Sequence, residues 1–178
     1  MGPDGAAGKG AVSMFEAKRS PMAFAQGADG RLPSHALQEL WFATLRASWQ
    51  TLVLVPVGKG LSTLPLARAL GEFGGRHRGR PVTVMSTSGL ELGAIANLVS
   101  ELGFGDGAPA SARGGKVIVA IDSIVDDPMG IAAALAGDAA LLCLELGKSK
   151  LAEAQHTIEQ IGRERFIGCV VLRPSRKG

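Results

Sequence analysis

The 178-residue chain contains no tyrosine, two cysteines, three histidines and only 4% aromatic residues. Each scarcity closes off a class of function. Without tyrosine, no tyrosyl hydroxyl within the chain accepts phosphate. Cys143 and Cys169 are too few for a disulfide framework and lack metal-ligand spacing. Each sits in an apolar run that reads as a buried strand, so free, buried thiols are expected. His35, His77 and His156 lie far apart in sequence and form no cluster. A nucleic-acid face needs concentrated basic residues interleaved with stacking aromatics. Here a net charge of +3 is scattered over Arg76, His77, Arg78 and Arg80, then Arg173, Arg176 and Lys177, so no nucleic-acid partner is expected. No apolar stretch approaches the roughly eighteen residues of a spanning helix, and no apolar core with a small-residue cleavage site opens the chain. A soluble, cytoplasmic protein is the expectation.

What is present is globular in balance: 46% hydrophobic and 20% charged residues, in a length that suits one domain. Residues 1–32 are rich in Gly, Ala, Pro and charge without sustained periodicity and read as a flexible arm. The GAAGKG within them has no strand before it and reads as linker. Residues 33–174 read as the folded domain, and 175–178 as a short basic tail. Helical spacing begins near Ser34 and includes Leu37, Leu40, Trp41 and Leu45. Apolar runs then alternate with helical segments. Strands are expected at 51–56, 81–85, 116–121, 139–144 and 166–172. Helices are expected at 61–73, stopped by Gly74-Gly75, and at 89–102, 128–135 and 148–162. A Gly-rich loop fills 103–115. Continuous rather than alternating apolar strands mean that both sheet faces are covered. The fold expected is therefore a three-layer, doubly wound, mostly parallel α/β sheet of five or more strands.

In such sheets ligands gather at the carboxyl ends of the strands. The first strand is followed by Pro56-Val-Gly-Lys-Gly-Leu-Ser-Thr63. A phosphate loop reads G-x-x-x-x-G-K-[ST]: its amides cradle phosphate, its lysine reaches the β/γ oxygens and its hydroxyl holds Mg²⁺. Aligning Gly60 with the last loop glycine leaves Ser62 and Thr63 as the hydroxyl pair and puts Leu61 in the lysine position. A plain Gly-rich βα turn is the alternative reading. Asp122 ends a later apolar strand, placed like the acid that positions Mg²⁺ in these enzymes.

These segments resemble the tyrosine-autokinase domain that works with polysaccharide co-polymerases in bacterial capsule and exopolysaccharide export, a relative of the Min/Par ATPases. Glu39-Leu-Trp-Phe-Ala-Thr-Leu-Arg46 is similar to its subunit-contact helix, Gly58 to Thr63 to its G-E-G-K-S-T loop, and Val117 to Ser123 to its Walker B strand. Ala139 to Ser149 resembles its strand ending in a Gly-Lys-Thr turn. The resemblance implies a P-loop NTPase-like fold with a nucleotide site at Gly58, Lys59, Gly60, Ser62, Thr63 and Asp122. It makes Asp122 and Ser62 the residues toward any magnesium, and Glu39, Trp41 and Arg46 interface candidates, with a place in the core the other reading of Trp41. It also implies a membrane polysaccharide co-polymerase or synthase component as partner, peripheral placement at the inner membrane through that partner, and scope for self-association.

The departures bear on catalysis. Leu61 replaces the loop lysine, Ser86 and Ser88 stand where the family has two aspartates, and the phosphorylated tyrosine cluster is missing. A hydrogen bond to a charged group contributes about 1.5–3 kcal/mol, so losing the lysine weakens nucleotide binding by roughly one to two orders of magnitude. Phosphoryl transfer depends almost wholly on positioned charge, and a cation and two carboxylates are gone together. The expectation is a non-catalytic pseudo-kinase or pseudo-ATPase, a scaffold or regulator with no firm cofactor and at most weak ATP or ADP binding with magnesium. Two alternatives stay open: a weakly active P-loop ATPase using Lys59 and Asp122, and a Par-like adaptor unrelated to polysaccharide. Two further rim residues have quieter readings. Asp127 before Pro128 reads as a helix N-cap rather than half of an acidic pair with Asp126, and Glu145, closing the fourth strand, is placed for contact with a nucleotide base.

Overall fold

A computed structural model describes residues 22–24, 34–88, 97 and 115–173. The expected helix at 89–102, nearly all of the Gly-rich loop at 103–115, the arm outside 22–24 and the tail at 175–178 lie outside the described residues. Six strands form one sheet: β1 (Met22–Phe24), β2 (Thr51–Pro56), β3 (Val82–Ser86), β4 (Lys116–Ala120), β5 (Ala139–Glu145) and β6 (Phe166–Leu172). Their order is β1-β6-β5-β2-β4-β3, and every neighbouring pair is parallel. β2 is central: Leu52 to Leu54 pair with Ile118 to Ala120 on one side and with Ala139 to Leu141 on the other. The three-residue β1, drawn from the stretch read as a flexible arm, pairs with β6 at one edge.

The layers follow from the chain's direction. β2 leads through α2 (Leu64–Arg78) to β3 on one side. β4 leads through α3 (Gly130–Ala136) back across β2 to β5, and α4 (Leu151–Ile161) then continues outward to β6. Right-handed crossovers running in opposite directions must place their helices on opposite faces. The packing agrees. Leu52, Leu54, Ile118, Leu141 and Cys143 face α2 and α1 (Ser34–Thr44). Val53, Val55, Val119 and Ala140 face α3, with Ala133 and Ala134 beneath them, and Val57 and Leu142 lie under Ala154 of α4. This is the doubly wound parallel sheet expected of a P-loop-like fold.

Two boundaries move for packing reasons. α2 runs through Gly74-Gly75, the expected stop, and ends at Arg78 with Gly79 as a left-handed cap at φ 64°. The glycines are there for an approach rather than an ending: a Cβ on Gly74 would overlap the indole of Trp41. Trp41 is fully buried and meets Trp49 edge-on, ring centroids 6.0 Å apart. α3 starts at Gly130 instead of 128, after a turn in which the Asp127 carboxylate accepts the Met129 N–H at 3.0 Å. Asp127 therefore caps the turn ahead of the helix rather than the helix itself.

At the amino end of the sheet, side chains serve the polar groups of β2. The Asp138 carboxylate accepts the Gln50 and Thr51 N–H groups at 2.9 and 2.8 Å. Lys116 donates to the Trp49 carbonyl while its ammonium lies 3.6 Å from the Trp49 ring centre. Burial, helped by Arg78 and opposed by Asp138, holds the Lys116 ammonium below the usual lysine range.

The two cysteines sit on neighbouring strands, in the register Leu142 to Cys169 and Cys143 to Val170. They therefore belong to opposite faces, Cys143 against α1 and α2 and Cys169 against α4. Both are free thiols, and burial pushes both upward, Cys143 far more.

Two outcomes follow. Gly74→Ala should lower stability by about 1–3 kcal/mol through overpacking on Trp41, measured by urea unfolding; the same change at an open helix site gains close to 1 kcal/mol, so the sign is decisive. With a thiol-specific reagent at neutral pH, Cys143 should stay unlabelled until the chain unfolds, read by mass spectrometry. Because both thiols titrate higher when folded, their contribution to stability is fully present below the ordinary thiol pKa of 9.0 and is lost as pH rises above it.

Candidate site at the carboxyl rim

The turns leaving β2 and β5 diverge to opposite faces, which opens a crevice between the carboxyl ends of those strands. The loop from Val57 to Thr63 lies there. It turns through left-handed backbone at Gly58 and Gly60, φ +81° and +71°, a conformation that L side chains rarely adopt. Ser149, in the turn after β5, spans the crevice. Its hydroxyl donates to the Val57 carbonyl at 2.9 Å and accepts the Glu145 N–H at 2.8 Å. Val57 N–H in turn reaches the Cys143 carbonyl at 2.8 Å.

Charged side chains of both signs border the loop. Gly60 N–H donates to the Asp126 carboxylate at 3.3 Å, and the Lys59 ammonium stands 4.0 Å from the other oxygen of the same group. On the far side, the Glu153 carboxylate lies 2.8 Å from the point where a Cβ on Gly58 would sit, with Lys150 4.0 Å away. The loop thus carries resident anions from its own chain, one from the β4–α3 turn and one from α4.

The residues of the expected nucleotide site divide. Gly58, Lys59 and Gly60 do form the tight turn at the end of β2. Lys59 extends outward, 75% exposed, toward Asp126. Leu61 packs half-buried against the cluster beneath α1 and α2, so the position of a phosphate-binding lysine is part of the core. Ser62 is exposed. Thr63 is buried and its hydroxyl lies 3.5 Å from the Leu54 carbonyl and 3.4 Å from that of Ile121, turned inward between β2 and β4. Asp122 follows Ile121 and is half-buried. Ser86 and Ser88 close a local turn at the end of β3, the Ser88 N–H donating to the Ser86 hydroxyl at 3.2 Å. β4 separates that turn from β2. Glu145, considered for a base contact, is tied to Lys148 at 2.8 Å. Among the described residues no three or more His, Cys, Asp or Glu side chains converge in a way that could hold a metal ion.

The two carboxylates beside the loop each have a lysine ammonium about 4 Å away, Lys59 for Asp126 and Lys150 for Glu153.

Of the interface candidates, Glu39 and Arg46 are exposed on and just after α1. Of the two readings of Trp41, core or subunit contact, the structure shows the core and corrects the interface assignment: it is wholly buried within the chain, against Trp49 and Gly74. Phe42 and Leu45 take the exposed positions beside it. Sequence reading missed Ser149, Glu153 and the role of Asp126, because none lies within the loop motif and only the crossing of β2 by the β4–α3–β5 connection brings them to it.

Comparison with protein-family models, characterised proteins and solved structures finds no match to this chain.

Ser149→Ala removes the bridge and leaves the Glu145 N–H and Val57 carbonyl without it. The expected loss is about 1–3 kcal/mol of stability, measured by denaturant titration.

Proposed function

We propose that the chain is a non-catalytic, kinase-like scaffold or regulator in exopolysaccharide or capsule biosynthesis, docking on a membrane co-polymerase or synthase component. The observation that carries the non-catalytic half is the pairing of a phosphate-loop-like turn with two carboxylates of its own chain, Asp126 at Gly60 and Glu153 at Gly58. The Gly60 amide donates to acid instead, and Leu61 and Thr63 pack inward. The polysaccharide half is supported by the resemblance of the segments at 39–46, 58–63, 117–123 and 139–149, of which the last three meet at the carboxyl rim.

The functional test is complementation. In a strain lacking the gene, polymer export should be altered and should be restored equally by wild type and by Lys59→Ala with Asp122→Ala. Restoration by wild type alone points to the atypical ATPase; an unchanged polymer phenotype in the deletion overturns the polysaccharide assignment.

A binding measurement isolates the site chemistry. Wild type should bind ADP or ATP with magnesium only weakly and turn neither over. Asp126→Asn with Glu153→Gln should tighten nucleotide binding by about tenfold, roughly 1.4 kcal/mol, because two carboxylates beside the loop are removed. Brisk ATP hydrolysis by wild type, abolished by Lys59→Ala, overturns the non-catalytic reading.

A further inference from the structure

The amino end of the sheet presents a surface that the linear order of residues conceals. The last turns of α1 and α2 meet there: Phe42 lies edge-on to His77, ring centroids 4.9 Å apart. Phe42 and Leu45 remain 41% and 38% exposed. Three exposed arginines belong to the same helix ends, Arg46 just past α1, Arg76 in the last turn of α2 and Arg80 just beyond its cap. Glu72 engages Arg76 at 3.4 Å, whereas Arg46 and Arg80 enter no ion pair among the described residues. The acids on these two helices are Glu72 and Glu39. Glu39, exposed and three residues before Phe42, lies on the same side of α1. Asp138, at the same end of the sheet, spends its carboxylate on the amides of Gln50 and Thr51. The patch therefore combines two exposed apolar side chains with a net positive charge, three exposed arginines against Glu39 and Glu72.

We propose that this patch is a docking surface for an anionic phospholipid bilayer. Exposed arginines attract acidic headgroups, and an adjacent phenyl and isobutyl group sink into the headgroup boundary. A single-stranded nucleic acid shares the charge but needs open ring faces on which to stack bases, and a duplex, which needs only the charge, is a competitor in the test. Here Phe73 stacks on His77 at an interplanar angle of 7° and Phe42 is turned edge-on to the same imidazole, so the rings serve one another. The contact requires neither the nucleotide-like site, at the opposite end of the strands, nor the polysaccharide assignment.

The test is co-sedimentation of the full chain with vesicles of phosphatidylcholine alone and of phosphatidylcholine mixed equally with phosphatidylglycerol. Binding to the mixed vesicles only, weakening as salt is raised, is expected. Arg46→Gln and Arg80→Gln should each reduce partitioning roughly fivefold, and together roughly twenty-fivefold. Both positions are exposed, so circular dichroism should show the fold unchanged. Phe42→Ser should reduce partitioning at every salt concentration. Absence of binding to mixed vesicles, equal binding to both kinds, or full retention by the double arginine variant overturns the proposal. So does a duplex oligonucleotide that displaces the vesicles.

Discussion

β2 is buried on both faces and hydrogen-bonded along both edges, and that burial obliges the chain to satisfy the strand's ends with groups drawn from far away in sequence. An unpaired buried amide or carbonyl costs about 1–3 kcal/mol, so neither end can be left open. At the amino end Asp138 accepts two amides, and Lys116 with Trp49 closes the adjoining turn. At the carboxyl end Ser149 ties the turn after β2 to the end of β5. The layered fold and the geometry of the rim both follow from this strand.

The same requirement shapes the chemistry available at the rim. In a doubly wound sheet the place where turns diverge is open to a ligand. Here the chain fills it from within: a serine hydroxyl bridges the crevice, and carboxylates from two different connections lie against the loop glycines. Lys59 and Lys150 balance those carboxylates locally. Being exposed and about 4 Å distant, such pairs contribute at most about 1 kcal/mol each.

Charge is sorted along the strand direction. The rim alternates lysines with carboxylates, while the opposite end gathers arginines with two exposed apolar side chains. Neither grouping is visible in the linear order. Arg46 and Arg80 are separated by the whole of β2 and α2, and become neighbours of one surface because parallel strands return every helix to the same end of the sheet.

Strand-helix alternation, the parallel sheet with both faces covered, and the glycine turn after the first full strand were all legible in the residues, because continuous apolar runs and left-handed turns are local properties with local signatures. The burial of Cys143 was legible for the same reason, whereas Cys169, also read as buried, is only half-buried. Tertiary structure decided the rest. It carried α2 through Gly74-Gly75 because an indole needed the space, turned Trp41 inward and Phe42 outward on the same helix, and drew residues near Met22 into the sheet edge. It also set Asp126 and Glu153 against the loop. These outcomes depend on which distant surfaces meet, and a pattern read along the chain records what each segment prefers without recording what will be packed beside it.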